Sequence, residues 1–215
     1  MTKRNHISAI LELAESEGVF TTAQAARLGI PRDALHDACT SGLLEHIAHG
    51  AYRLMGSGSS ETDELVALWK LTNPKLFAHE RLVKWDGICI GGSSAAYLND
   101  MGDLNLSPYR IYSGKRINSR SPFARFGVRH VSRGDVSFEQ GIPVTRPERT
   151  VFDLMLDRED PSLVADALRD AVFSSGGFDS ARLEEMLAGK FGKAKGNSLL
   201  KALLADSGIP EGTIR

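Results

Sequence analysis

The sequence predicts an α+β protein, an N-terminal winged helix-turn-helix followed by a mixed α/β C-terminal domain with a small sheet and several helices. Three observations carry this. Val19 to Leu54 reads helix, glycine turn, helix, hairpin; residues 55–60 are small, polar and glycine-rich; and short strand-like runs after Arg110 give way to long amphipathic patterns. With 215 residues and 42% hydrophobic content the chain can fill two cores, predicted at residues 1–57 and 61–215.

The first helix, about His6 to Ser16, brings Ile7, Ile10, Leu11 and Leu13 near one another. Thr21 and Thr22 can cap a short helix that turns Ala25, Ala26 and Leu28 to one side. Gly29 then supplies a turn, and Pro31 suits the first position of a second helix because its missing N–H is not needed there. That helix runs to about Ser41 with Leu35, Ala38 and Cys39 inward, so Arg32, Asp33, His36, Asp37 and Thr40 share the outer face. Leu43 to Ala48, the pair His49-Gly50, and Ala51 to Leu54 have the lengths of a two-stranded hairpin. A hairpin after such a helix pair is a wing, and the outer face of the second helix is the candidate reader of DNA bases.

In the second domain, a helix carrying Leu65, Leu68, Trp69 and Leu71 precedes the apolar run Gly87 to Ile90, and a further helix opens at Ser93. Strand-like segments at Arg110–Tyr112, Val128–Val131, Val136–Phe138 and Ile142–Val144 suggest a small antiparallel sheet. Thr145-Arg146-Pro147-Glu148 reads as a T-x-x-E capping box opening a helix. Asp160-Pro161 opens the next, and two more helices follow near Asp179–Ala188 and Lys193–Ala205.

Net charge is −1, yet charge is segregated: between Leu104 and Arg133 stand Arg110, Lys115, Arg116, Arg120, Arg125, Arg129 and Arg133, with no acidic residue. Phosphate neutralisation supplies most non-specific affinity for nucleic acid, so this basic stretch is a candidate surface for DNA or for an acidic partner. A solvated, charge-protected sheet edge would account for part of it. No apolar run is long enough for a membrane span, and a cytoplasmic protein is expected. Cys39 and Cys89 fall on apolar faces and suit buried thiols. No metal or cofactor is expected: His46-x-x-His49 has no third ligand at usable spacing, and Gly91-Gly92-Ser93-Ser94 lacks the lysine of a phosphate-binding loop. Glu184-Glu185 and the helical pair Asp153 and Asp157, read as exposed or paired with Arg149 and Arg158, do not form the strand-borne carboxylate and lysine set of a metal nuclease, so the chain is not expected to be an enzyme.

The segments T-T-A-Q-A-A-R-L-G-I-P-R-D-A-L, L-L-E-H-I-A-H-G-A-Y-R-L and G-I-P-V-T-R-P-E-R-T-V-F-D-L resemble, in this order, the AbiEi-type antitoxin family. The resemblance implies a type IV toxin-antitoxin system with an abortive-infection role against phage. It implies autorepression through double-stranded operator DNA, and a nucleotidyltransferase-like toxin counteracted without a stable complex. It places Arg32 and His36 on the recognition face, Thr22, Gln24 and Arg27 near the phosphates, and His46, His49 and Arg53 in the wing. Asp33 and Asp37 depart from the more basic reading face of the family; a carboxylate can accept from cytosine N4 or orient Arg32 but repels phosphate, which implies modest affinity. Histidines titrate near neutrality, so His36, His46 and His49 would tighten phosphate binding on acidification if they lie against the backbone. An alternative is a winged-helix regulator with a ligand-sensing or dimerising C-terminal domain; the oligomeric state is open.

Overall fold

The computed structural model describes residues 3–58, 60–139, 141–174 and 177–210, so Ser59 of the expected linker and the outermost residues of both expected domains lie outside the described residues. The chain forms two compact units, Met1–Asp86 and Gly87–Arg215.

In the first unit α1 (Lys3–Glu17), α2 (Thr22–Arg27) and α3 (Arg32–Thr40) surround a core of Ile10, Leu13, Phe20, Ala25, Ile30, Leu35 and Leu44. Burying such aliphatic side chains is worth about 1.5–3 kcal/mol each. Thr21 caps α2 reciprocally: its hydroxyl accepts from Gln24 N at 3.1 Å, and its own N–H donates to Gln24 Oε1 at 2.8 Å. Gly29 takes φ +75 between α2 and α3, the left-handed conformation that a tight turn needs. Pro31 sits one residue earlier than expected, as the extended residue before α3. The hairpin forms as β2 (Leu44–Ala48) and β3 (Ala51–Leu54), with a register shift between His46 and Ala48. A two-residue strand, β1 (Phe20–Thr21), pairs antiparallel with β3, and the sheet order is β1-β3-β2.

The first unit ends at Asp86 rather than in the glycine-serine segment, a correction to the expected boundary of 57 and 61. The physical reason is the packing of α4 (Asp63–Leu71), whose Ala67 joins Val19 and Ala51 in a cluster with Ile47, Val66 and Leu71. Thr21 Oγ1 donates to Pro74 O at 2.5 Å and Gln24 Nε2 to Leu76 O at 2.8 Å, which secures the loop beyond α4. In α5 (Ala78–Val83) the buried Arg81 lies 3.8 Å from the Trp69 ring centroid and donates to Asp86 at 2.7 Å.

The second unit carries five strands among the described residues: β4 (Cys89–Ile90), β5 (Tyr109–Ser113), β6 (Ala124–Val128), β7 (Val136–Glu139) and β8 (Ile142–Thr145). Their order is β6-β5-β4-β8-β7. The expected antiparallel sheet is corrected to a mixed one: β4–β5 and β7–β8 run antiparallel, while β5–β6 and β4–β8 run parallel. Each parallel pair has a long connection between its strands, and β6 ends at Val128, where Val128–Val131 had been expected as strand. Arg129 N still donates to Ser113 O at 2.8 Å.

Helices α6 (Gly92–Leu98), α7 (Pro147–Asp157), α8 (Pro161–Ser174), α9 (Ser180–Phe191) and α10 (Lys193–Asp206) complete the unit. They bury Leu154, Leu168, Leu183 and Leu187 completely. The expected capping box at α7 does not form. Thr145 ends β8 fully buried, its hydroxyl 2.8 Å from that of Thr150, and Glu148 instead accepts from Asp179 N at 2.7 Å. Among the described residues neither cysteine is in a disulfide; Cys89 is buried and Cys39 half-buried, the latter with its thiol pushed up by burial.

Candidate nucleic-acid interface

The N-terminal end of α3 and the wing open on one concavity of about 930 Å³ within the first unit. Thr22, Arg27, Arg32, His36, His46 and His49 all line it, six of the eight residues that the sequence points to for DNA. Arg32, Asp33 and His36 are exposed on the first turns of α3, the part of a recognition helix that meets base edges. His46 packs on Tyr52 with ring centroids 4.6 Å apart, which fixes its place on the wing. At the hairpin tip Gly50 has φ +82, and its carbonyl accepts from Thr22 N at 2.9 Å, tying the tip to the start of α2.

Two expected contacts are corrected. Gln24 is fully buried, and its amide is consumed by the α2 cap, Glu17 and Leu76, so it faces the interior. Arg53 projects away from the concavity and into an ion-pair set with Glu45 at 2.5 Å and Asp63; its side chain is only 11% exposed. Arg27 lines the concavity but is partly spoken for: it forks onto both Glu80 oxygens at 2.6 and 2.9 Å and lies 4.6 Å from the Phe77 ring centroid. That bond to Arg27, with a second from Phe77 N, lowers the Glu80 carboxyl to about 2.

Of the two carboxylates on α3, Asp33 lines the concavity, whereas Asp37 lines a separate groove beside Ile7 and Ile10 of α1. Repulsion of phosphate at the reading face is therefore less than the sequence suggests. Lys75, exposed in the loop after α4, lines the concavity too and escaped notice because it lies beyond the expected domain boundary.

The basic stretch divides in the second unit. Arg129 is held in a carboxylate cage, donating to Asp153 at 3.0 Å and to Asp157 at 2.6 Å, with its guanidinium 4.4 Å from the Tyr112 ring centroid. Tyr112 donates its hydroxyl proton to Asp157 at 2.7 Å, and burial together with the two carboxylates pushes its ionisation upward. Of the two helix carboxylates expected to be exposed or paired with Arg149 and Arg158, Asp153 does pair with Arg149, at 3.0 Å, while Asp157 pairs with Arg129 instead; Asp153 has no exposure, and burial raises its carboxyl against the pull of Arg149 and Arg129. Arg110 lies 3.7 Å from Glu159, and Arg133 covers Phe138 at 4.6 Å. Arg116 and Arg125 reach only Asn118 and the carbonyls of Pro122 and Ala124, and with Lys115 and Arg120 they form no ion pair among the described residues. Among the described residues no cluster of three or more His, Cys, Asp or Glu is arranged for a metal, and no helix is long and apolar enough to cross a membrane.

Comparison with known proteins agrees with the winged-helix geometry. No curated protein sequence matches the chain. The crystal structure of the Rv2827c protein from Mycobacterium tuberculosis superposes with a TM-score of 0.53 at 17% identity, covering 87% of this chain and 76% of that one, a likeness of fold. Residues 8–54, from within α1 to the end of the wing, match the model of the family described as transcriptional regulator, AbiEi antitoxin.

Proposed function

We propose that this protein is the antitoxin of a type IV toxin-antitoxin system, one that acts in the cytoplasm by binding rather than catalysis. On this reading it represses its own operon through double-stranded operator DNA and counteracts a nucleotidyltransferase-like toxin without a stable complex. The observation that carries it is the common concavity shared by Arg32 and His36 of α3 with His46 and His49 of the wing. A recognition helix and wing that open on one surface can straddle a groove and its flanking phosphates together. Arg32 is suited to guanine in the major groove, while Thr22, Lys75 and the wing histidines supply backbone contacts.

The test is fluorescence anisotropy on the duplex upstream of the gene against a scrambled duplex, at several salt concentrations, with the double variant Arg32→Ala, His36→Ala alongside. Preference for the upstream duplex that vanishes in the variant supports the reading; equal weak binding to both duplexes overturns it. Rescue of growth from the neighbouring toxin by the same DNA-blind variant tests the antitoxin half separately. A ligand-sensing regulator is the second reading, favoured by a cleft in the C-terminal unit; failure to rescue growth together with specific operator binding would select it.

A further inference from the structure

Strand β6 closes one end of its sheet and has a neighbour, β5, on one side only. Tyr109 N donates to Phe123 O at 2.7 Å and Arg129 N to Ser113 O at 2.8 Å, which fixes the phase of the parallel ladder between the two strands. In that phase Arg125 and Gly127 aim their N–H and C=O groups at β5, whereas Ala124, Phe126 and Val128 aim theirs outward. Ala124 O accepts from the Arg125 guanidinium at 3.2 Å, and the outward groups of Phe126 and Val128 meet no partner among the described residues. The edge borders a cleft of about 570 Å³, lined by every residue from Ala124 to Arg129 and by the 116–119 loop. Its two faces differ in character. Arg125 shares one face with Arg110 and Tyr112, and there Arg125 and Arg116 form no ion pair among the described residues. Phe126 and Val128 share the other face with the buried Ile111; Phe126 is half-buried and Val128 is 66% exposed.

From this we infer that β6 docks an extended segment of a partner protein as a further strand of the sheet, one whose side chains alternate between acidic and apolar. The open row of backbone donors and acceptors is what selects a polypeptide. A nucleotide, a nucleic acid or an inorganic anion could meet the arginines, but none of them completes a ladder with Phe126 and Val128. The alternation follows from the pleat. Every second side chain of the added strand lies beside Arg125 and within reach of Arg116, where a carboxylate neutralises them, and the side chains between lie beside Phe126 and Val128. A second copy of this chain is a poorer occupant: no acidic residue stands between Leu104 and Arg133, so β6 laid against another β6 leaves those arginines without a counter-charge.

The experiment uses the full chain and a fluorescein-labelled eight-residue peptide of alternating glutamate and valine. Two control peptides accompany it: the same sequence N-methylated at every residue, and the same composition with its glutamates and valines in separate blocks. By anisotropy the alternating peptide is expected to bind, and both controls at least about tenfold more weakly. Val128→Pro removes an outward N–H and no bond to β5, a change that a sheet edge tolerates and an incoming strand does not, so it should weaken binding about tenfold or more. The double variant Arg116→Ala, Arg125→Ala should weaken it about tenfold at low salt, with the difference narrowing as salt rises. Amide hydrogen exchange followed by NMR reads the edge without any substitution. The Phe126 and Val128 amides should exchange faster than those of Gly127 and Arg129 in the free chain, and slow when the peptide saturates it. No binding of the alternating peptide, equal binding of the N-methylated one, or unslowed Phe126 and Val128 amides at saturation overturns the inference. So does equal binding of the block peptide, since that describes attraction by charge alone.

Discussion

Lys70 of α4 donates its ammonium to Glu17 of α1, 2.6 Å to Oε2 and 2.9 Å to the backbone carbonyl, with the two side chains only 3% and 5% exposed. The same Oε2 accepts from Gln24 Nε2 at 3.2 Å and Ala78 N at 3.3 Å, so one carboxylate ties α1, α2, α4 and α5 together. Burial lowers the Lys70 ammonium, and the hydrogen bond and charge of Glu17 oppose that shift.

Glu17→Gln is expected to cost about 3–5 kcal/mol, because it strands a buried ammonium. The paired change Glu17→Leu, Lys70→Met should recover much of that, since it removes both charges from the interior. Urea denaturation of the full chain followed by tryptophan fluorescence checks both, Trp69 reporting on α4. A cost near zero for Glu17→Gln would mean that water reaches Lys70.

For the DNA face, Arg32→Ala should lose about 1–3 kcal/mol of discrimination between operator and scrambled duplex. Arg53→Ala should leave DNA binding unaltered while lowering stability by about 2 kcal/mol, through the loss of charged hydrogen bonds to Glu45 and Asp63. Anisotropy and thermal unfolding on the same two proteins separate the roles. An Arg53→Ala variant that folds normally yet fails to bind would return Arg53 to the interface.

Much of the winged helix was legible because its signals are local: the Thr21 cap, the Gly29 turn and the His49-Gly50 tip each lie within a few residues of the element they shape. The same locality misled at Gln24 and Arg53, whose partners Leu76 and Asp63 stand 52 and 10 residues away. Strand direction in the second unit was hidden because β4 and β8 meet only at Ile90 and Val144. The cage around Arg129 draws Asp153 and Asp157 from 24 and 28 residues away, and no spacing rule announces it. The visible trace was glycine: Gly91 and Gly92, which resemble a phosphate-binding loop only without its lysine, make with Gly127 the space into which Tyr112 fits.

A methyl group at Gly91 would sit 1.9 Å from Tyr112 Cε2. Gly91→Ala is therefore expected to destabilise the second unit by about 3 kcal/mol through overpacking. In a Tyr112→Ala background the same substitution should add little, because its clash partner is gone. Chemical denaturation of the four members of the cycle measures the coupling; strict additivity would show that the ring moves aside.

Acid should loosen the Arg27–Glu80 contact. Glu80 is lowered from 4.5 to about 2 by Arg27 and Phe77 N. A depressed carboxyl contributes stability above its unfolded value and loses it as pH falls through the folded one, so the contribution declines between about 4.5 and about 2. Glu80→Gln should flatten the fall in urea midpoint across that interval. An unchanged acid limb would assign the loss to other carboxylates.

The buried position of Gln24 bears on how operators diverge. In T-T-A-Q-A-A the side chains of Thr21 and Gln24 each accept from the other's backbone N–H and Ala25 fills the core, so these three letters describe an interior. The letters that can meet a base, Arg32, Asp33 and His36, sit on open surface where substitution costs the fold little. Two proteins can thus share the recognisable string while addressing unrelated promoters, and a duplicated gene can be retargeted by changing three surface residues with its scaffold untouched.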